Sequence, residues 1–306
     1  MNLQSFYIGG KHAEVTMMLG ESGLYEKEGR PAVVICPGGS YMYVSDREAE
    51  PIAYEFLAKG YHVFILRYST LGSAMRKEGN AVNRDELYQI ASLVEADETL
   101  GSEFPGPLVE LAETMTFIRE NCHEFNVNPD KIGVIGFSAG GHLAASLGVH
   151  WNTSWLKELT GTEPRWYKPN FQILSYPILD FMMNKSIAEE RGIGDPKYMT
   201  TASRMIFGPH VTDELLDRAT LAKNISKDVP PTFIWHTVAD QLVFVQNSLD
   251  FAKGLEAHQI PWELHTFKSG GHGLSLATEM TGIEDVRAAN WTGLMFSWLQ
   301  ETLKEK

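Results

Sequence analysis

Residues Lys131 to Leu147 read KIGVIGFSAGGHLAASL: an apolar, β-branched run, a sharp turn carrying Ser138, and a small-residue helix opened by Ala139, Gly140 and Gly141. The G-F-S-A-G at the centre matches the G-x-S-x-G pattern, in which a serine sits on a strained strand-to-helix turn. Gly136 and Gly140 must be small there, so that strand and helix pass closely while the hydroxyl is lifted clear of the sheet. The same geometry points the Ala139 N–H, at the positive end of the helix, toward where an oxyanion would form. Five residues alone are a weak pattern, because an idle serine on a Gly-rich turn also satisfies them. The strand before and the helix after supply the context the motif requires.

Upstream, Ala32 to Cys36, AVVIC, is a continuous apolar run of the kind that is buried on both faces of a parallel sheet. It leads into PGGSY, Pro37 to Tyr41, whose glycines expose backbone N–H groups at the C-terminal edge of the strand, where open α/β sheets hold their ligands. Ser45-Asp46-Arg47-Glu48 matches a capping box, and the helix it starts carries Ile52, Ala53, Phe56 and Leu57 at helical spacing. Gly60 ends that helix, and Tyr61 to Tyr68 is the next buried strand. Together they make a βαβ unit with parallel strands. Before it, Ser5 to Ile8 and Ala13 to Leu19 predict a hairpin turned at Gly9-Gly10.

Residues 71–107 surround a weak helical pattern at Glu86 to Leu93 with Gly, Asn, Pro and charges, and read as an insertion: a lid, a contact surface or a solvated excursion. A helix from about Leu108 to Glu124 and a turn at Asn128-Pro129-Asp130 lead back to the Ser138 strand. Downstream, Trp151, Trp155, Trp166 and Tyr167 could stack on sugar rings, but such clusters more often fill gaps between elements, and packing is the favoured reading. Strands are expected at Phe171 to Tyr176, Thr232 to His236 and Trp262 to Phe267, and helices at Val245 to His258 and Val286 to Leu303. Residues 179–227 are irregular, with helical pieces near Thr200 to Phe207 and Asp213 to Ala219, and suit a small cap. Without repeats or low-complexity tracts, residues 1–306 are expected to form one domain with insertions at about 71–107 and 179–227.

A serine hydroxyl is a poor nucleophile near neutral pH and needs a base. Of the ten histidines, His272 lies in Gly270-Gly271-His272-Gly273, a loop directly after the last strand, from which a side chain reaches across the sheet edge. His142, one helical turn from Ser138, reads as structural; His236 inside a strand and His62 at a strand start read as core or supporting residues. The base in turn needs an orienting carboxylate, and Asp240 in the loop after the preceding strand competes with Asp180. Asp240 is preferred because Ser138, Asp240 and His272 each fall just past the C-terminal end of a successive strand, which brings them to one edge. Candidate oxyanion donors are the N–H of Ala139 and those of Gly39 and Ser40.

With 39 acidic and 26 basic residues and a formal net charge of -13, neither nucleic acid nor an anionic membrane is an expected partner. MNLQSFYIGGKHAEV has no basic segment followed by an apolar run, and no stretch reaches the length of a membrane span. Cys36 and Cys122, the only cysteines, fit reduced thiols in a cytoplasm, and no metal-binding Cys/His spacing occurs.

Four segments carry a family resemblance: VVICPGGSYMYVSDREAEPIAYEFLAKGYHVFILRY, NPDKIGVIGFSAGGHLAASLG, PPTFIWHTVADQLVFVQNS and FKSGGHG. With them the chain resembles the α/β-hydrolase superfamily, and within it the bacterial acetyl-xylan and other carbohydrate esterases, near the feruloyl and hormone-sensitive-lipase-like esterases. The resemblance implies an α/β-hydrolase fold: a mostly parallel central sheet, helices on both faces and cap-like insertions. It implies nucleophile Ser138, acid Asp240, base His272, an oxyanion loop at Gly39 and Ser40, and no metal or organic cofactor. Ser40 stands where relatives usually carry a third glycine, and residues 71–107 are longer than the usual link. The expected function is a serine carboxylesterase that removes short acyl groups, acetyl first, from small carbohydrate esters such as acylated oligosaccharides. Alternatives are a feruloyl or general short-chain carboxylesterase, a non-catalytic binding protein on the same scaffold and, more weakly, a peptidase. The oligomeric state stays open, a homo-oligomer included.

Overall fold

The computed structural model describes residues 2–9, 13–20, 29–73, 86, 89, 103–194 and 196–304. Its strands are β1 (Asn2–Ile8), β2 (Ala13–Leu19), β3 (Arg30–Cys36), β4 (His62–Arg67), β5 (Val127–Phe137), β6 (Gln172–Ser175), β7 (Thr232–Thr237) and β8 (Trp262–Phe267). They pair in the order β1-β2-β4-β3-β5-β6-β7-β8. The opening hairpin pairs antiparallel and joins β4 antiparallel, whereas every pairing from β4 to β8 is parallel. This is an α/β-hydrolase sheet.

Alternation along the strands explains why both faces are covered. Ala32, Val34, Val134, Leu174 and Ile234 face one layer, with Leu111 and Met115 of the helix Gly106–Glu120, Leu143 of Ala139–His150 and Phe251 of Gln246–Ala257. Val33, Ile35, Phe137, Ile173 and Trp235 face the other, against Ile52 and Phe56 of Glu50–Ala58 and Trp291 and Met295 of Trp291–Thr302. Every residue of Ala139–His150 is buried, which explains its run of Gly and Ala: the helix lies between the sheet and the chain that follows. No described helix is long and apolar enough to cross a membrane.

Several local expectations need correction. Ser45 makes no side-chain cap; a 3-10 turn, Asp46–Glu48, precedes the helix, and Glu48 points into the protein. The helix expected to run to Glu124 stops at Glu120, where the Asn121 side chain donates to the Phe117 carbonyl, and a short turn, Cys122–Phe125, ends at the left-handed Asn126. Asn128-Pro129-Asp130 is a bulge inside β5: Arg30 pairs with Val127 but Ala32 with Ile132. The region 179–227 contains the two expected helical pieces, as Pro196–Phe207 and Asp213–Ala219, and also Phe181–Arg191. The insertion at 71–107 lies largely outside the described residues, as does the helical pattern at Glu86 to Leu93. Among the aromatics, Trp151 donates to the Asp228 carbonyl, and Trp155 packs between His150 and the Arg218 guanidinium.

Candidate active site

Ser138 has φ 53° and ψ -116°, a conformation that costs energy and persists only when its surroundings impose it. Its N–H donates to the Ser175 carbonyl, and its own carbonyl accepts from His142 N and Ile178 N. A Cβ on Gly136 would lie 2.0 Å from the Gly140 carbonyl oxygen, and one on Gly140 2.0 Å from that of Cys36. The crossing of β5 and its helix has no room for any other residue.

The loop after β8 brings His272 to this serine. His272 Nε2 lies 2.7 Å from Ser138 Oγ, and its Nδ1 lies 2.7 Å from Asp240 Oδ2. A carboxylate can only accept, so Nδ1 carries the proton and Nε2 is left to accept from the serine. Asp240 is buried, and its Oδ1 accepts from the backbone N–H groups of Leu242 and Val243. His236 stands behind it: Nε2 donates to the Val243 carbonyl at 2.8 Å and lies 3.4 Å from Asp240 Oδ2, while Nδ1 accepts from the Ser248 hydroxyl. Burial opposes ionisation of Asp240, yet His272 and His236 outweigh it and hold the carboxyl well below the usual range. Burial likewise disfavours the His272 imidazolium, but the Asp240 carboxylate prevails and raises its pKa. Asp180, the competing carboxylate, is spent as the N-cap of Phe181–Arg191, where it accepts from Met183 N.

The glycine loop is held at nearly every residue. Pro37 O accepts from Tyr68 Oη, Gly38 N donates to Glu48, Gly38 O accepts from Ser45 N, and Gly39 O accepts from Met42 N and Tyr43 N. Ser40 Oγ bonds the Tyr198 hydroxyl. Tyr41 Oη donates to Nδ1 of the buried His142, whose Nε2 donates to the Ala219 carbonyl; burial pushes the His142 pKa down to about 4, so it stays neutral. Gly39 has φ 131°, and Ser40 and Tyr41 both have φ 57°, left-handed values that non-glycine residues adopt only under constraint. The N–H groups of Gly39, Ser40 and Ala139 donate to no described acceptor. Ser40 and Ala139 line a pocket with Ser138, closed by Ile178, Phe181, Tyr198, Ala202, Ser203, Leu242 and Val243; its cavity volume is about 30 Å³.

Sequence reasoning missed Glu48, Tyr176, Tyr198 and Asn184. Glu48 hides in what reads as a capping box. Tyr176 is visible only as a strand-end aromatic, yet its ring lies edge-on to His272 with centroids 5.2 Å apart. Asn184 is fully buried in a helix with little apolar pattern; it donates to the Leu242 carbonyl and accepts from Phe244 N, which ties the helix Phe181–Arg191 to the Asp240 loop.

An eight-stranded, mostly parallel sheet with a strained serine at the end of its central strand, a histidine and a carboxylate beside it defines an α/β-hydrolase fold. The chain belongs to the BD-FAE family, whose model matches residues 87–255. It is 29% identical over 286 residues to endo-1,4-beta-xylanase B of Butyrivibrio fibrisolvens, covering 90% of this chain and 36% of that protein. It is 24% identical over 258 residues to an acetylxylan esterase of Xylanibacter ruminicola, covering 81% and 42%. The chain thus spans less than half the length of these curated relatives. Among solved structures, carboxylesterase Cest-2923 of Lactobacillus plantarum WCFS1 superposes with a TM-score of 0.76 at 26% identity over 98% of each chain. Carboxylic ester hydrolases thus recur among its relatives and structural neighbours.

Proposed function

We propose that the chain is a serine carboxylesterase that cleaves short acyl groups, acetyl first, from small carbohydrate esters through an acyl-enzyme. The observation that carries this reading is the hydrogen-bonded series Ser138, His272, Asp240 beside Gly39, Ser40 and Ala139 N–H groups that donate to no described acceptor. His272 Nε2 takes the Ser138 proton as Oγ attacks the ester carbonyl, and the oxyanion is met by Ala139 N–H and by Ser40 or Gly39 N–H. Each such donor is worth about 3 kcal/mol in the transition state. Collapse expels the alcohol, which takes the proton from His272. Water then gives its proton to the same nitrogen, attacks the acyl-enzyme and releases acetate, with the proton returned to Ser138.

The pocket lining supports a small acyl group: Ile178, Phe181, Leu242 and Val243 present apolar surface beside Ser138. A carbohydrate alcohol draws support from the acetylxylan esterase and xylanase relatives. Ser138→Ala is expected to abolish hydrolysis of p-nitrophenyl acetate and labelling by a fluorophosphonate; undiminished hydrolysis by the purified variant would show that Ser138 is not the nucleophile. Mass spectrometry of acetylated xylo- and manno-oligosaccharides treated with the enzyme then tests the alcohol: loss of acetyl groups is expected, and intact esters beside rapid p-nitrophenyl acetate cleavage would leave a general short-chain esterase.

A further inference from the structure

Glu48 is an acidic side chain only 3% exposed, and it takes no part in the steps above. It sits between the two loops that those steps require. Oε2 accepts from Gly38 N at 2.8 Å, one residue before the candidate oxyanion donors, and Oε1 accepts from Tyr176 Oη at 2.7 Å. Tyr176 Oη accepts in turn from Ser275 N at 2.9 Å, three residues after His272. The Ser275 hydroxyl donates to the carbonyl of Arg47, next to Glu48. A carboxylate is held dry only at a substantial cost in desolvation, which is met here by two protein donors. The Tyr176 backbone is itself strained, with φ 38°, and its ring covers one side of the His272 imidazole.

The geometry points to Glu48 as a positioning residue: through Gly38 N–H and the Tyr176 hydroxyl it sets the oxyanion loop and the His272 loop at a fixed separation. Glu48 also stands among the groups that raise the His272 pKa. This inference rests on the esterase reading. A hydrogen bond that only stabilised the fold would fix one loop or the other. This one joins the loop of the base that takes the proton to the loop that meets the negative charge, so both shift together if it is lost. The charged groups acting on His272 are Asp240 at 2.7 Å, Glu48 and the opposing Arg47, with His236 behind Asp240. Of these, Glu48 alone also contacts the glycine loop.

The test compares wild type, Glu48→Gln, Tyr176→Phe and Ser138→Ala on p-nitrophenyl acetate across pH, with thermal melts of each. Glu48→Gln keeps shape and an acceptor for Gly38 N–H but removes the charge. It is expected to lower kcat about 100-fold, as for a misplaced catalytic group, with KM nearly unchanged, and to move the acidic limb of kcat/KM to lower pH. Tyr176→Phe keeps the carboxylate, so kcat is expected to fall about 10-fold while the limb stays where it is. Near-wild-type kcat and an unmoved limb in a cooperatively melting Glu48→Gln protein would overturn the assignment. Should that variant fail to fold, Tyr176→Phe decides: wild-type kcat there overturns it as well. If wild type and Ser138→Ala are equally inactive or equally active, the esterase reading itself fails, an outcome distinct from the failure of Glu48 alone.

Discussion

Replacing Phe181 with alanine is expected to change which acyl chain the enzyme prefers. Phe181 closes the pocket beside Ser138 and packs edge-on against His142 and Phe207, with ring centroids 5.1 and 5.4 Å away. Removing its ring adds the space of about six carbon atoms to a pocket of about 30 Å³. Each further methylene that becomes buried contributes about 0.8 kcal/mol, so two of them favour butyrate over acetate by about 1.6 kcal/mol, a change of about 15-fold in relative kcat/KM. The fold loses about 3 kcal/mol, at the lower end for Phe→Ala because the new space opens into an existing pocket. Initial rates on p-nitrophenyl acetate, butyrate and hexanoate, paired with thermal melts, give the ratio directly. Any disturbance passed through His142 to the glycine loop slows all three esters alike and cancels in that ratio. A butyrate-to-acetate ratio within about two-fold of wild type, in a variant that still melts cooperatively, refutes the assignment of this pocket to the acyl group.

Asp240→Asn is expected to lower kcat/KM about 10⁴-fold and to shift its acidic limb to lower pH, because the carboxylate that raises the His272 pKa is gone; a pH–rate profile showing the limb unmoved contradicts the pairing. The same carboxylate, held well below 3.8 when folded, adds stability above its unfolded pKa that is lost as pH falls through the folded value, so wild type should lose more stability than the variant in acid denaturation. Gly140→Ala should cost about 3 kcal/mol or more, because its Cβ would sit 2.0 Å from the Cys36 carbonyl oxygen; urea unfolding close to wild type would contradict the tight crossing. Burial pushes Glu110 from 4.5 up to about 7, only partly offset by its bonds from Ser69. Between those values the unfolded chain binds fewer protons, so stability falls as pH rises, by about 3 kcal/mol in all. Glu110→Gln should flatten that decline, as melting temperatures from pH 5 to 8 will show.

What was legible in the sequence is what short-range pattern encodes. The apolar runs at Ala32 and Lys131 name buried strands, and Gly136, Ser138 and Gly140 name the turn between β5 and its helix, because backbone sterics decide those positions locally. Contacts across the sheet are less accessible. Glu48 satisfies a capping pattern, yet its partners are Gly38 and, 128 residues away, Tyr176; two buried donors outweigh a cap that water can replace. Asp180 and Asp240 stand in similar loops after strands, and only the structure separates a helix cap from a partner of His272. The helix Phe181–Arg191 went unread because Asn184, a polar residue, occupies its buried face and is held by Leu242 and Phe244.

The 2.7 Å bond between Ser138 and His272 closes a loop of 134 residues. Contacts that distant are made late in folding, since the entropy of closure is lost before any bond compensates. On a ribosome the serine turn emerges well before the loop that carries the histidine, and β8, which delivers that loop, adds at the outer edge of the sheet. The nascent chain therefore holds the serine without its base until β8 is in place. On the proposed mechanism hydrolysis needs β8 paired in the sheet, so turnover itself reports that this strand has docked.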